Sequence, residues 1–169
     1  MAGIDVAGID VAGIGPVDRL LAIEEIKQLK ARYFRFIDTK NYPGLLDVFA
    51  PDATGPHEPG IDLVQGSKEI AASAERWLAT VQTAHHGHMP EIEILSATTA
   101  RGIWTFEDHL WNWPPGEPDG QFHGYGIYHE TYVKLADGWR IGSMEIERIR
   151  TNVLLVGASS TVGMSSTPS

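Results

Sequence analysis

The spacing of hydrophobic residues changes once along this chain, from a helical repeat to an alternating one. In the first part, apolar side chains recur every three or four residues, at Leu20, Ile23, Ile26, Leu29, Tyr33, Phe34 and Ile37. Lys27 and Lys30 interrupt that apolar face, and from about His88 onward the repeat is two residues. Because a helix repeats about every 3.6 residues and a strand every two, the chain is predicted to be helical first and strand-rich afterwards.

Three helices are predicted in the helical part. The first runs to about Asp38 and is predicted to be capped by Asp18. A short helix from about Pro43 to Phe49 is ended by Pro51, and a third begins near Ser67. One side of the third helix carries the apolar residues Ile70, Ala74, Trp77, Leu78 and Val81.

The alternating part is most regular between residues 100 and 110. One parity carries Ala100, Gly102, Trp104, Phe106, Asp108 and Leu110. Asp108 is therefore predicted to point inward and Glu107 outward. Strands at about 122–135 and 139–150 follow, joined at a hairpin signal, Ala136-Asp137-Gly138. Helices followed by long antiparallel strands predict an α+β fold, with a curved antiparallel sheet wrapped around about three N-terminal helices.

Length and charge limit the class of protein. With 169 residues, 43% hydrophobic residues and five tryptophans, the chain suits one well-buried domain. A net charge of −9 argues against a nucleic-acid or anionic-membrane partner. The absence of cysteine excludes disulfides, thiolate nucleophiles and cysteine-ligated zinc. The N-terminus has no basic region and carries Asp5 and Asp10, so it predicts neither a signal peptide nor a membrane span, and we expect a cytoplasmic protein.

Low-complexity segments flank the predicted domain. Residues 1–15 repeat the unit Ala-Gly-Ile-Asp-Val and are interpreted as an N-terminal arm. The domain spans residues 16–156, and residues 157–169, rich in Gly, Ser and Thr, are interpreted as a flexible tail. We expect the strand from Trp139 to Arg150 to expose apolar side chains in a monomer, which predicts a homo-oligomer.

Four groups suited to proton transfer lie in or beside apolar segments: Tyr33, Asp38, His85 and Asp108. A carboxylate removed from water without partners costs several kcal/mol or shifts its pKa, so such positions are candidates for function. A structural interpretation stays open for each. Tyr and Asp are common at helix ends, and Asp108 is also suited to an ion pair with Arg148, which shares its parity with Met144.

The histidines at 85, 86 and 88 do not have the spacing of a helical zinc motif, because no His-Glu-x-x-His occurs. No metal site is predicted, although a site made of histidine and carboxylate remains an alternative. The preferred interpretation is one imidazole tuned by a carboxylate such as Asp38. Alternation carried back from Ile94 places His86 and His88 inward and His85 outward, unless Gly87 makes a bulge.

Several runs resemble a known family. They are residues 22–30, Tyr33-Phe34-Arg35 with Asp38, Gly87-His88 with Pro90-Glu91-Ile92, Gly102-Ile103-Trp104 through Glu107-Asp108, and Asp137-Gly138-Trp139. The chain resembles the nuclear transport factor 2-like, or SnoaL-like, superfamily of cone-shaped α+β barrels. Within it, the chain is most similar to bile-acid 7α-dehydratase, and more distantly to scytalone dehydratase and hexachlorocyclohexane dehydrochlorinase.

The resemblance implies roles for particular residues. It places catalytic groups at Tyr33, Asp38, His85 and Asp108, and an inward arginine at Arg148. It also implies that a bulge at Gly87 turns His85 inward, and it favours a trimer before a dimer. Residues 55–59 and 111–122 depart from the relatives, so the identity of the substrate does not carry over.

We also assign substrate binding to Arg148, Trp104, His57 and His129. The expected activity is that of a cofactor-independent lyase, a dehydratase acting on a hydrophobic, hydroxylated carbonyl compound of steroid, polyketide or polycyclic type. His85 is expected to remove the proton, with Asp38 fixing its second nitrogen. An isomerase or cyclase acting on the same substrates is the first alternative. A non-catalytic binding or assembly module is the second, because a fold does not fix a function.

Overall fold

The computed structural model describes residues 14–57, 63–155 and 162–164. Its helices are α1 (Pro16–Asp38), a 3₁₀ helix (Tyr42–Asp47) and α2 (Ser67–Leu78). Its strands are β1 (Phe49–His57), β2 (Gln82–Gly87), β3 (Glu91–Ile94), β4 (Thr99–Trp111), β5 (Gln121–Leu135), β6 (Gly138–Leu154) and β7 (Val162–Met164). The predicted α+β class, with its helices preceding most of the sheet, is confirmed.

The strands form one sheet in the order β1-β6-β5-β4-β2, with β3 also paired to β4 and β7 to β6. Neighbours from β2 to β7 pair antiparallel, as predicted, but β1 runs parallel to β6. β1 is not predictable from its sequence pattern, because it contains Pro51, Gly55 and Pro56, residues that strands disfavour. β1 is the edge strand of this order. The amide hydrogen that proline lacks is not needed for pairing on the open side of an edge strand, so proline is tolerated there.

The start of α1 differs from the prediction. The helix begins at Pro16, and Gly15 occupies the N-cap position without a side-chain hydrogen bond. The predicted cap, Asp18, is therefore wrong, and this residue lies within the first turn. Proline suits the first helical position because the amide hydrogen it lacks has no helical partner there. A carboxylate in the first turn still interacts favourably with the helix dipole.

The core lies between α1 and the inner face of the sheet. From α1 it receives Ala22, Ile26, Leu29, Tyr33 and Ile37. The predicted alternation along β4 is confirmed, because Ala100, Trp104, Phe106, Asp108 and Leu110 are all buried. The predicted apolar side of α2 is only partly correct. Ile70 is buried, but Trp77 is 59% exposed and Val81 lies beyond the end of the helix.

The outer face of β6 matches the expectation of exposed apolar side chains only in part. Its apolar residues, such as Trp139, Ile141 and Met144, are buried on the inner face. Glu145 and Glu147 are exposed on the other face. Ile149 of the same strand is nonetheless 56% exposed. The predicted exposure of apolar side chains is therefore confirmed only in part, and the homo-oligomer stays a prediction.

Both ends of the chain lie largely outside the described residues. The predicted N-terminal arm is described only at Ile14 and Gly15, and Ile14 packs against the core. Within the predicted C-terminal tail, Val162–Met164 forms β7, which pairs with Thr151–Val153 of β6. In the described part of the chain, no helix is long and apolar enough to cross a membrane.

Candidate active site

The pairing of β2 with β4 brings His85 to the inner face of the sheet. His85 lies directly opposite Asp108 in the antiparallel register, and directly opposed residues point to the same side. Asp108 is buried on the inner face, so His85 faces the interior and His86 faces out with Glu107. The alternation count, which placed His85 outward and His86 inward, was wrong.

An extra residue after Gly87 explains this error. Gly87 pairs with Phe106 and Glu91 pairs with Ile103, so three residues on one strand oppose two on β4. This is the count of a β-bulge, and it reverses the alternation between β2 and β3. The bulge that the family resemblance implied is therefore confirmed, in the segment that directly follows Gly87. A Cβ atom on Gly87 would lie 2.5 Å from the Phe34 ring, so this position also needs glycine for space.

Asp38 and His85 form a hydrogen-bonded dyad. The Asp38 Oδ1 atom lies 2.7 Å from His85 Nδ1, and Asp38 Oδ2 accepts a 3.0 Å hydrogen bond from the His85 backbone amide. The Thr83 hydroxyl donates to Asp38 Oδ1 at 2.9 Å, and the Lys40 ammonium donates to that hydroxyl at 3.1 Å. A neutral imidazole that donates from Nδ1 to a carboxylate carries its lone pair on Nε2. The dyad thus presents His85 Nε2 as a base.

The environment of Asp38 favours its ionised form. Burial alone would raise the pKa of this carboxyl, but hydrogen bonds and charge from His85, together with the Thr83 hydroxyl, outweigh burial and lower the pKa below its usual value of 3.8. Asp38 is therefore a carboxylate at neutral pH. It can hold the His85 ring in place and stabilise the imidazolium that forms when the ring accepts a proton.

The lowered pKa of Asp38 predicts a specific acid dependence of stability. A carboxyl whose pKa is depressed in the folded state contributes stability above the unfolded pKa, and this contribution is lost as the pH falls through the folded pKa. The unfolded value is near 3.8. We expect the difference in free energy of unfolding between wild type and Asp38→Asn to be fully present at neutral pH and to decrease as the pH falls below about 4. Urea unfolding from about pH 7 to about pH 2 tests it, and a difference that does not decrease anywhere in this range would contradict it.

Asp108 is held by Arg148 on the neighbouring inner face. The Arg148 guanidinium donates from Nη1 to Asp108 Oδ1 at 2.8 Å, and both side chains are mostly buried. The guanidinium also lies 5.1 Å from the Phe106 ring centroid and 5.2 Å from that of Phe122. A Cβ atom on Gly124 would lie 2.3 Å from both Arg148 and Asp108, so the ion pair fits only because that position is glycine. The structural interpretation of Asp108 as a partner of Arg148 is thus correct. Among the described residues, no hydrogen bond is made to the second carboxylate oxygen of Asp108.

Tyr33 lies in an aromatic group beside the dyad. Its ring makes edge contacts with Phe49 and Tyr128 at centroid distances of 5.8 and 6.4 Å. Phe34, its neighbour on α1, stacks on the His85 ring at 6.3 Å. Burial raises the pKa of Tyr33 far above its usual value, the charge of Glu130 raises it further, and a hydrogen bond with Tyr128 opposes them. Tyr33 is consequently a protonated hydroxyl at neutral pH, able to donate a proton or a hydrogen bond.

A buried ion pair lies behind Tyr33, and the sequence analysis missed it. Lys30 and Glu130 are both fully buried and form a short ion pair, and Glu130 also accepts from the Tyr132 hydroxyl. Trp104 Nε1 donates to that hydroxyl at 2.8 Å. The Lys30 ammonium lies 3.6 Å from the centroid of the Tyr128 ring. Burial lowers the pKa of Lys30 to about 8, against the opposing charge of Glu130.

The residues assigned to substrate binding are dispersed. Arg148 is beside Asp108, and Trp104 is buried in the hydrogen-bond chain to Tyr132. His57 ends β1 opposite Glu145, and its Nδ1 atom is buried without a hydrogen-bond partner among the described residues. His129 lies on the outer face, 2.9 Å from Glu147. The structure thus does not bring His129 together with the dyad.

Within the described residues, the group that could hold a metal ion is Glu107, His109 and His123. Glu107 and His109 alternate with the buried positions of β4, and His123 lies directly opposite His109, so all three side chains lie on the outer face of the sheet. The dyad and the Asp108–Arg148 pair face the other way. On the inner side, His85 thus lies against the carboxylates of Asp38 and Asp108, an arrangement that can carry out acid–base chemistry.

Comparisons with known proteins agree with this fold. A family model described as SnoaL-like domain matches residues 18–145. A protein of Gibberella zeae named probable cyclase FGR4 is 30% identical over 143 residues, which cover 78% of this chain and 93% of that protein. Among solved structures, a scytalone dehydratase-like protein from Novosphingobium aromaticivorans superposes with a TM-score of 0.72 at 19% identity, covering 85% of this chain and 99% of the other. A type 2 hexachlorocyclohexane dehydrochlorinase, LinA, superposes with a TM-score of 0.72 at 18% identity, covering 90% and 97%.

Proposed function

Since the chain belongs to the family of SnoaL-like domains, we propose that it is a cofactor-independent dehydratase acting on a hydrophobic, hydroxylated carbonyl compound. The observation that carries this proposal is the dyad, in which Asp38 accepts from His85 Nδ1 at 2.7 Å while Asp108 lies directly opposite His85. An imidazole held in this way is a general base. The buried aromatic surroundings of Tyr33 and Phe34 suit a largely apolar substrate.

The proposed reaction is an elimination. His85 Nε2 removes a proton that a nearby carbonyl or enone makes acidic, from the carbon next to the one that bears the leaving hydroxyl, and Asp38 stabilises the imidazolium that results. The electron pair of the broken C–H bond forms the new double bond as the C–O bond to the leaving hydroxyl breaks. That hydroxyl takes a proton from Tyr33 or from the imidazolium and leaves as water. Each positioned acid or base is typically worth about 10²–10⁴-fold in rate.

Asp108 and Arg148 are proposed to orient the substrate. One carboxylate oxygen of Asp108 accepts from Arg148, and the other, which has no partner in the described part of the chain, would accept a hydrogen bond from a substrate hydroxyl. A charged acceptor gives a stronger hydrogen bond than a neutral one, particularly where water is excluded. Asp108 would thereby hold the leaving hydroxyl within reach of the proton donor.

An isomerase or cyclase is the second candidate, and the similarity to the probable cyclase FGR4 favours it. Such a reaction needs the same base and the same acidic carbon but has no leaving group. The proposed roles of His85 and Asp38 are the same in both cases. The two reactions differ in the mass of the product.

One experiment separates these functions. The protein is incubated in D₂O with a set of 7-hydroxy-3-oxo steroids and hydroxylated polyketide analogues, with His85→Ala as the matched control, and products are followed by mass spectrometry. Loss of water that depends on His85 supports the dehydratase. Deuterium uptake without loss of water identifies an isomerase or cyclase. Neither change, for any compound that binds, would contradict both and favour a binding module.

Tyr33→Phe tests the proton donor. We expect kcat to fall by about 10²-fold, because the hydroxyl is lost while the ring that packs against Phe49 and Tyr128 remains. The melting temperature should change little. Steady-state kinetics with thermal unfolding gives both values, and an unchanged kcat would assign the donor role to the imidazolium of His85.

Turnover is expected to persist after exhaustive chelation. No step of the proposed elimination uses a metal ion, because the base, the acid and the orienting groups are side chains of the protein. Activity of chelated protein, measured beside protein supplemented again with Zn²⁺ or Mg²⁺, tests this. Activity lost on chelation and restored by a metal, while circular dichroism shows that the chelated protein is still folded, would contradict the acid–base scheme.

A further inference from the structure

Four side chains able to bind metal lie together on the outer face of the sheet. His86 is directly opposite Glu107 in the pairing of β2 with β4, and His109 is directly opposite His123 in the pairing of β4 with β5. Glu107 and His109 are two residues apart on β4, so their side chains leave the same face. That face is opposite to Asp108, which is buried on the inner side.

The spacing of these groups is close to that of a metal site. Ligand atoms of Glu107, His109 and His123 all lie within 4.8 Å of one another. His123 Nε2 is 3.3 Å from Glu107 Oε2, and His86 Nδ1 is 3.9 Å from Glu107 Oε1. Ligand atoms bound at about 2.1 Å to a tetrahedral zinc ion lie about 3.4 Å apart. Small side-chain rotations therefore suffice to place one ion between them.

The surroundings orient the imidazoles. The Tyr125 hydroxyl lies 3.3 Å from His123 Nδ1, which leaves Nε2 of that ring facing Glu107. Metal-binding histidines usually make such a hydrogen bond through their second nitrogen. The rings of His109 and His123 are 3.4 Å apart between centroids, and a cavity of about 150 Å³ lies beside them.

A second histidine–glutamate pair on the same face, His129 with Glu147, is an ordinary surface contact and is more exposed than the pair of His123 with Glu107. His129 lies 2.9 Å from Glu147, and these side chains are 42% and 62% exposed. His123 and Glu107 are only 26% and 31% exposed. Within the described residues, the cluster around Glu107 meets the geometric requirement for three ligands, whereas the His129 pair does not join such a group.

We propose that Glu107, His109 and His123 bind a divalent transition-metal ion, with His86 as a fourth ligand. Two or three imidazoles and a carboxylate are a ligand set suited to zinc and its neighbours in the first transition series. The bound ion would link β2, β4 and β5 on the face away from the dyad. It stabilises the folded chain and takes no part in proton transfer.

Calorimetric titration of tag-free, chelated, full-length protein with Zn²⁺ tests the site. We expect one ion per chain. Removing an outer partner of a metal ligand typically weakens binding about 10–100-fold, so Tyr125→Phe should weaken it about 10-fold. Loss of a direct ligand in Glu107→Gln, His109→Ala or His123→Ala should weaken it by at least about 100-fold.

The matched control is His129→Ala, which removes a histidine of the same face without touching the cluster. It should bind Zn²⁺ like wild type. A hundredfold excess of Zn²⁺ over Kd should raise the melting temperature of wild type and of this control by about 5–10 °C, and that of His109→Ala far less. If His109→Ala fails to fold, Tyr125→Phe and Glu107→Gln give the same comparison. Absence of saturable binding, or equal weakening in His129→Ala and the cluster variants, would overturn the proposal.

Discussion

His85→Ala and Asp38→Asn are each expected to lower kcat for the elimination by about 10²–10⁴-fold. The first variant removes the base, and the second removes the carboxylate that fixes the His85 ring through Nδ1 at 2.7 Å. The double variant should be little worse than either single one, because residues that act as a unit have non-additive effects. Steady-state kinetics on all three proteins, with circular dichroism to verify folding, measures this.

His88→Ala is the matched control for these variants. His88 lies three residues beyond His85 but is exposed, in the segment that carries the extra residue. It should retain wild-type kcat. Full activity in His85→Ala, or a loss in His88→Ala as large as that expected for His85→Ala, would show that the base has been assigned to the wrong histidine.

Lys30→Met is expected to destabilise the fold by about 3–5 kcal/mol, because it leaves Glu130 as a buried carboxylate without its cation. For a chain of this size, that corresponds to a fall in melting temperature of about 6–20 °C. Lys30→Met combined with Glu130→Gln should recover most of the loss. Glutamine is neutral and still offers an oxygen to the Tyr132 hydroxyl. Thermal and urea unfolding of both variants give the values.

Lys27→Met provides the comparison on the same helix. Lys27 is 45% exposed at its side chain and makes a 3.8 Å ion pair with Glu24, so its loss should change stability by less than about 0.5 kcal/mol. Similar effects of Lys27→Met and Lys30→Met would contradict the importance of the buried pair. So would a double variant that is less stable than Lys30→Met.

The sequence pattern alone predicted the orientation of side chains correctly in strands where the two-residue alternation is unbroken. Along β4, two-residue alternation placed Asp108 inside and Glu107 outside, as the structure confirms. The hairpin between β5 and β6 also forms where Asp137-Gly138 predicted a turn. In such segments the apolar side chains must all reach one face, so burial fixes the orientation of the polar ones between them.

The sequence pattern did not predict the orientation or the partner of a side chain where an extra residue interrupts a strand or where the partner is distant in the sequence. One extra residue after Gly87 reverses the alternation, and only the family resemblance indicated the correct side for His85. Lys30 was recognisable as a charge on an apolar face, but its partner Glu130 is 100 residues away. Pairing at that separation depends on how α1 docks onto the sheet. The outer cluster was missed for the same reason, because the strand register brings His109 and His123 together.

The most direct test of the central claim is the release of deuterium from the acidic carbon next to the one that bears the hydroxyl group of a labelled substrate. This measurement follows the proton that His85 is proposed to remove, whether the product is dehydrated, isomerised or cyclised. Wild type should release the label to water during turnover, and His85→Ala should do so at least about 10²-fold more slowly. Equal release by both proteins, or conversion of the substrate by His85→Ala at the wild-type rate, would contradict the proposed role of the Asp38–His85 dyad.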